Sequence, residues 1–128
     1  EHGVTVKCMK TLDFNKLNRC FIIAELSANH NGSLEIALET VRAAKRTGAD
    51  AIKLQTYTAD TITLDVKSDL FKIASGTAWD GQYLYDLYEQ AHTPWEWHKQ
   101  LFDLAEELEL YCFSSPFDPT AVDFLEKE

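Results

Sequence analysis

The sequence predicts an α/β fold: the N-terminal portion of a TIM (β/α)8 barrel, about three βα units after a short N-terminal strand or hairpin. Three observations carry this. Short apolar runs of the kind found in buried parallel strands recur at residues 20–26, 51–56 and 111–115. The first and third are followed by helix-start signals, and stretches with helical spacing of apolar residues separate the runs. No low-complexity linker interrupts the series. A closed barrel needs eight units and about 250 residues, so 128 residues hold part of one. An open three-stranded α/β domain is the alternative arrangement.

Residues 1–19 read as an arm, with apolar-polar alternation from Val4 to Lys10 predicting a strand or hairpin. Residues 20–128 read as the partial barrel. Its first strand, Cys20 to Leu26, is apolar except for Glu25. After Asn29-His30-Asn31-Gly32, Ser33 supplies an N-cap, and Leu34, Ala37, Leu38, Val41 and Ala44 fall on one helical face. Gly48 ends that helix in the left-handed conformation. Ala51 to Thr56 is the second strand, joined to the first by a parallel crossover.

A long connection follows from Tyr57 to Ala91, rich in Thr, Asp, Gly and aromatic residues, with a short helix expected over Tyr83 to Gln90. Thr93-Pro94-Trp95-Glu96 has the form of a capping box with proline at the first helical position. Trp97, Leu101, Leu104, Ala105 and Leu108 make the buried stripe of the helix it opens. Tyr111 to Ser115 is the third strand, and Asp118-Pro119 starts a further helix. That helix shows no stop signal, so the sequence is expected to continue past Glu128.

Composition excludes several classes. With 45% hydrophobic and 26% charged residues, the chain is not a disordered one. No apolar run is long enough for a membrane-spanning helix, and no membrane partner is expected. A formal net charge of −9, with Lys and Arg scattered, repels a polynucleotide. The same field repels anionic metabolites, so a phosphate or carboxylate ligand needs a local cation. The three cysteines, Cys8, Cys20 and Cys112, have no metal-type spacing and fit a reducing, cytoplasmic setting.

Strand alternation puts Ile23, Glu25 and Ser27 on one side, Lys53 and Gln55 on one side, and Phe113 with Ser115. These polar groups lie near the C-terminal strand ends, where barrel enzymes hold their chemistry. Glu25 and Lys53 are the sharpest signal, since a charge in a covered strand needs a partner or a ligand. They read either as a carboxylate acid/base beside an anion-binding lysine or as a structural ion pair. Gln55 favours the first, because a third polar group exceeds what an ion pair requires. Asn29 and His30 form a polar rim, more simply explained as turn chemistry. His30 has no second ligand at metal spacing. The hydroxyls of Ser114 and Ser115 and the helix start beyond them are a candidate anion site, although Asp118 reads better as an N-cap. Ser115 and Phe117 remain open to ligand contact. Trp79, Tyr83, Tyr85 and Tyr88 either stack on a sugar ring or close a local core.

Phe21 to Gly32, Gly48 to Tyr57 and Ser114 to Asp118 resemble, in order and spacing, three motifs of the sialic acid synthase family. The resemblance covers about residues 20–128. Residues 78–88 and 93–98 look most like the family's bacterial pseudaminic acid branch. The resemblance implies a metal-dependent condensation of phosphoenolpyruvate with an N-acetylated amino-sugar aldehyde. By position it implies that Glu25 and Lys53 are catalytic. Gln55, Ser115, Phe117, Asn29 and His30 would contact substrate. A divalent metal, Mn²⁺ or Mg²⁺, would have its ligands outside this segment, and a homodimer would complete the sugar site. On that reading the segment alone does not turn over.

Overall fold

The computed structural model describes residues 12–74 and 76–128. The strand expected over residues 4–10 lies outside them. The described part of the arm carries a single 3-10 turn, Phe14–Lys16. Three parallel strands form one sheet in the order β1 (Ile23–Glu25), β2 (Ala51–Thr56) and β3 (Tyr111–Pro116). The register aligns Glu25 with Lys53 and Lys53 with Phe113, and Gln55 with Ser115.

β1 is shorter than the apolar run predicts. Ile22 leaves the ladder because its carbonyl accepts from both Asp50 and Ala51 amides, while its own N–H donates to the Asp50 carboxylate at 2.8 Å. Arg19 holds the same carboxylate from outside, at 2.7 Å to Oδ2 and through a second bond to Oδ1. That guanidinium and the Ile22 amide pull the Asp50 carboxyl down to about 2. The entry to the sheet is thus set by an ion pair where hydrophobic patterning anticipates more strand.

α1 (Leu34–Arg46) forms where the spacing predicts it. The Ser33 hydroxyl accepts from the Ile36 amide, Lys45 and Arg46 sit in the last turn, and Gly48 takes φ +86° just beyond. α4 (His98–Glu107) carries Leu101 and Ala105 on its buried face. α1 and α4 cover one side of the sheet, and Leu26, Ala37, Val41, Ile52, Leu54, Leu101, Ala105 and Leu110 form the core between them. Trp97, Leu104 and Leu108 pack against it.

α5 (Pro119–Leu125) is capped as expected, with the Asp118 carboxylate accepting from the Thr120 and Ala121 amides. It ends at Leu125 with Glu126 as its C-cap. The long connection folds into α2 (Ala59–Ile62), a 3-10 turn at Asp69–Phe71 and α3 (Leu84–Ala91). One expectation fails. Thr93 caps no helix; a 3-10 turn, Trp95–Trp97, intervenes before α4, and the Thr93 hydroxyl turns inward to the Ser27 carbonyl.

Candidate active site

Alternation along β2 divides it between two faces. Ile52, Leu54 and Thr56 point into the helix-covered core, fully buried. Lys53 and Gln55 point the other way. On that inner face Lys53 Nζ stands 3.2 Å from Glu25 Oε2, across the parallel register. The two side chains are 30% and 40% exposed, so the pair is reachable by a ligand and screened by water. The strands are therefore not covered on both faces by the described residues. Ile23, 46% exposed, and Phe113, 40% exposed, share this open side.

Gln55 sits beyond the pair, nearer the strand end. Its Oε1 accepts from the Ser27 hydroxyl at 3.0 Å. No hydrogen bond joins its amide nitrogen to another described residue. Ser115 is the register partner of Gln55 and faces the same side, half-buried. The arrangement presents one ammonium, one amide donor, one hydroxyl and one carboxylate along a short stretch of wall. It suits an anionic ligand with a carbonyl or hydroxyl beside it.

The structure does not bring every predicted residue to this wall. His30 is buried, with its ring edge against Trp97 at 5.3 Å between centroids. Its Nδ1 accepts from the Gly32 amide, and its Nε2 faces the Ala91 carbonyl without completing a hydrogen bond. Burial holds its pKa below the ordinary value. Asn29 closes a turn, its amide nitrogen and its backbone N–H both donating to the Leu26 carbonyl at 3.0 Å. Phe117 lies at the rim, its ring T-shaped against Tyr57 at 5.3 Å. The start of α5 is occupied by Asp118 itself, which leaves the Ser114-Ser115 segment no free helix amides for an anion. Tyr88 packs on Tyr57, and the Tyr85 hydroxyl donates to Asp60. Burial pushes the Cys112 thiol up to about 12, which keeps it protonated and inert.

Sequence reasoning placed Trp97 in the core but did not anticipate that the segment from Thr93 to His98 ties the ends of the sheet together. Thr93 is 2% exposed, and its hydroxyl donates to the Ser27 carbonyl at 3.5 Å. Trp95 Nε1 donates to the Tyr57 carbonyl at 3.2 Å, and Trp97 backs His30. His98 Nε2 pairs with the Thr56 hydroxyl at 2.7 Å, which also meets Ser114 Oγ at 2.6 Å. His98 Nδ1 faces the Pro94 and Trp95 carbonyls without a completed bond, and burial lowers its pKa. The signal was the density of polar and aromatic residues in Thr-Pro-Trp-Glu-Trp-His. Helix capping explained only part of it.

Among the described residues no group of three His, Cys, Asp or Glu side chains is placed to hold a metal ion, and no helix is long and apolar enough to cross a membrane. The residues of this wall therefore do not fit a metal centre by themselves.

The profile of the NeuB family matches residues 40–128, more than half of the chain. The chain belongs to the NeuB family. It is 53% identical over 119 residues to the pseudaminic acid synthase of Campylobacter jejuni, covering 93% of this chain and 34% of that protein. To the N,N'-diacetyllegionaminic acid synthase of Legionella pneumophila it is 39% identical over 106 residues, covering 83% of this chain and 30% of that protein. The chain thus spans about a third of the length of these NeuB relatives. The sialic acid synthetase of Leptospira borgpetersenii, solved with citrate, superposes with a TM-score of 0.68 at 24% identity, over 86% of this chain and 33% of that one. That likeness establishes the fold: the NeuB segment is the first part of a sialic-acid-synthase barrel.

Proposed function

We propose that this chain forms one wall of the active site of a nonulosonic acid synthase that makes pseudaminic acid. The substrates on this reading are phosphoenolpyruvate and 2,4-diacetamido-2,4,6-trideoxy-altrose in its open-chain aldehyde form. The observation that carries it is the Lys53–Glu25 pair at 3.2 Å, with Gln55 and Ser115 beside it on the open face. The higher identity to a pseudaminic than to a legionaminic acid synthase supports the choice of sugar.

In the reaction, carbon 3 of phosphoenolpyruvate attacks the aldehyde carbon and the aldehyde oxygen takes up a proton. Water adds to carbon 2, its proton leaves, and phosphate departs by C–O cleavage to give the 2-keto acid. Lys53 would hold the anionic end of phosphoenolpyruvate and stabilise charge that grows in the transition state. Gln55 would donate its amide hydrogen to the sugar's aldehyde or hydroxyl oxygen. Glu25, acceptor-only when ionised, would take the proton of the attacking water. Ser115 and Phe117 would line the sugar side. A divalent ion, Mn²⁺ or Mg²⁺, would polarise the aldehyde, with its ligands expected outside this segment; the roles above are those of this chain's own groups. A homodimer and a cytoplasmic setting belong to the same reading and rest on family membership.

The test is phosphate release from phosphoenolpyruvate with Mn²⁺, run on the chain alone and on a full-length synthase carrying it as its first third. Release by the full-length form with the altrose compound, and none from the chain alone, is the expected result. Release with N-acetylmannosamine or the legionaminic precursor instead would move the protein to another branch. A second reading, a self-associating partial barrel without catalysis, is favoured by the exposure of Ile23 and Phe113 on the sheet face. Silence of the full-length form with every sugar, together with a dimer of the chain on size exclusion, would install it.

A further inference from the structure

We infer that Ser27 is a positioning residue for Gln55, anchoring its side-chain amide on the wall so that the free end stays in reach of the substrate; this rests on the role proposed for Gln55. Ser27 follows β1 and adopts φ +48°, a left-handed backbone that glycine takes freely and serine avoids. A non-glycine residue persists there when its surroundings hold it, and such a position invites the question of what its side chain does.

The surroundings hold Ser27 from both sides. On one side, Leu26 is locked by its amide to the Lys53 carbonyl and by its own carbonyl to Asn29. On the other, the buried Thr93 hydroxyl reaches the Ser27 carbonyl at 3.5 Å. The hydroxyl so placed donates to Gln55 Oε1 at 3.0 Å.

A glutamine side chain offers one acceptor and one double donor, and its amide plane can turn over by half a rotation. A serine hydroxyl can meet either end of that amide, so its bond fixes where the amide sits; in the structure it donates to the oxygen. The nitrogen then points away from Ser27, on the face that carries Lys53 two residues earlier. Without the hydroxyl the amide loses its anchor and swings among rotamers, and a ligand oxygen meets it in place only part of the time. Glycine at position 27 would relieve the backbone and forfeit this anchor.

The experiment is a double-mutant cycle in the full-length synthase carrying this segment, using Ser27→Gly, Gln55→Ala and the pair. Ser27→Gly should lower kcat/KM about tenfold without lowering the melting midpoint, because glycine suits the backbone. In the Gln55→Ala background the same change should cost less than about twofold. A tenfold loss in both backgrounds, or no loss in either, overturns the positioning role. A silent Gln55→Ala overturns the assignment of Gln55 itself, which is a separate failure.

A readout independent of turnover completes the test. In a glutamine-labelled sample the Gln55 side-chain NH2 should be ordered on the nanosecond scale, unlike that of exposed Gln100, and should lose that order in Ser27→Gly. Equal mobility of the two amides in the wild type would refute the inference whatever the kinetics give.

Discussion

The two faces of β2 are made of alternating residues of a single strand, yet they differ in almost every physical respect. Ile52, Leu54 and Thr56 are fully buried beneath α1 and α4. Lys53 and Gln55, between them, are half-buried and polar, and they look across at Glu25 and Ser27 respectively. The outer face is apolar, and its one polar residue, Thr56, is fully engaged by His98 and Ser114. The inner face keeps polar atoms unengaged. A period of two therefore lets one short strand carry stability on one side and chemistry on the other. Substitutions on the two faces should be separable.

The largest effects test that separation directly. Leu54→Ala should destabilise the fold by about 2–5 kcal/mol, read from urea unfolding, because it opens a cavity under two helices. Lys53→Ala, in a full-length synthase carrying this segment, should cut turnover by about 100-fold or more and leave the urea midpoint close to wild type. The side chain is partly solvated, so its ion pair adds little to folding. If Lys53→Ala unfolded the protein instead, the inner-face pair would be structural and the division of labour would fall.

A smaller effect comes from the one polar network on the dry face. Thr56→Val should cost about 1–3 kcal/mol, since it strips His98 Nε2 of its partner in a closed site. The network also predicts a pH response. Burial holds His98 below its ordinary value of 6.5, although Glu96 and Glu128 oppose the shift. Below that value the unfolded chain binds a proton that the folded one resists. Stability is thus full above pH 6.5 and declines as pH falls through it. The urea midpoint should be level from about pH 8 to 7 and drop toward pH 5. His98→Gln should flatten part of the drop. An unchanged slope would shift the acid sensitivity to His30, which burial depresses in the same direction.

How much of this was legible follows from what each feature depends on. α1, β2 and α5 were readable because their signals are local: Ser33 and Asp118 cap their own helices, and β2 alternates within six residues. The inner-face pair was readable because alternation and parallel register alone bring Glu25 to Lys53. The shortening of β1 was not, since it depends on Arg19 reaching Asp50 across 31 positions of sequence. Thr93 misled for the same reason. Its local pattern fits a capping box, but the fold buries Thr93 and turns its hydroxyl to the Ser27 carbonyl, 66 positions away. His30, a polar loop residue by sequence, is buried because Trp97 covers it from 67 residues away. What the sequence hides here is which distant group claims a side chain.

The smallest effect belongs to Asp118, which stands at the edge between the two faces. Its carboxylate is an inner-rim acid by position, but both oxygens accept from Thr120 and Ala121 amides, and the Thr120 hydroxyl adds a third bond at 2.6 Å. Those bonds hold its pKa below the ordinary carboxylate value, so it stays ionised and committed to the start of α5. Asp118→Asn keeps an acceptor for the helix amides and should leave the melting midpoint nearly unchanged, whereas Asp118→Ala should lower it. Neither should change turnover by more than about twofold, because the carboxylate has nothing left to offer a substrate. A tenfold loss of turnover in Asp118→Asn with the melting midpoint preserved would make it a second inner-face acid beside Glu25. The boundary between the stabilising and the reactive side would then run one residue further along the β3–α5 turn.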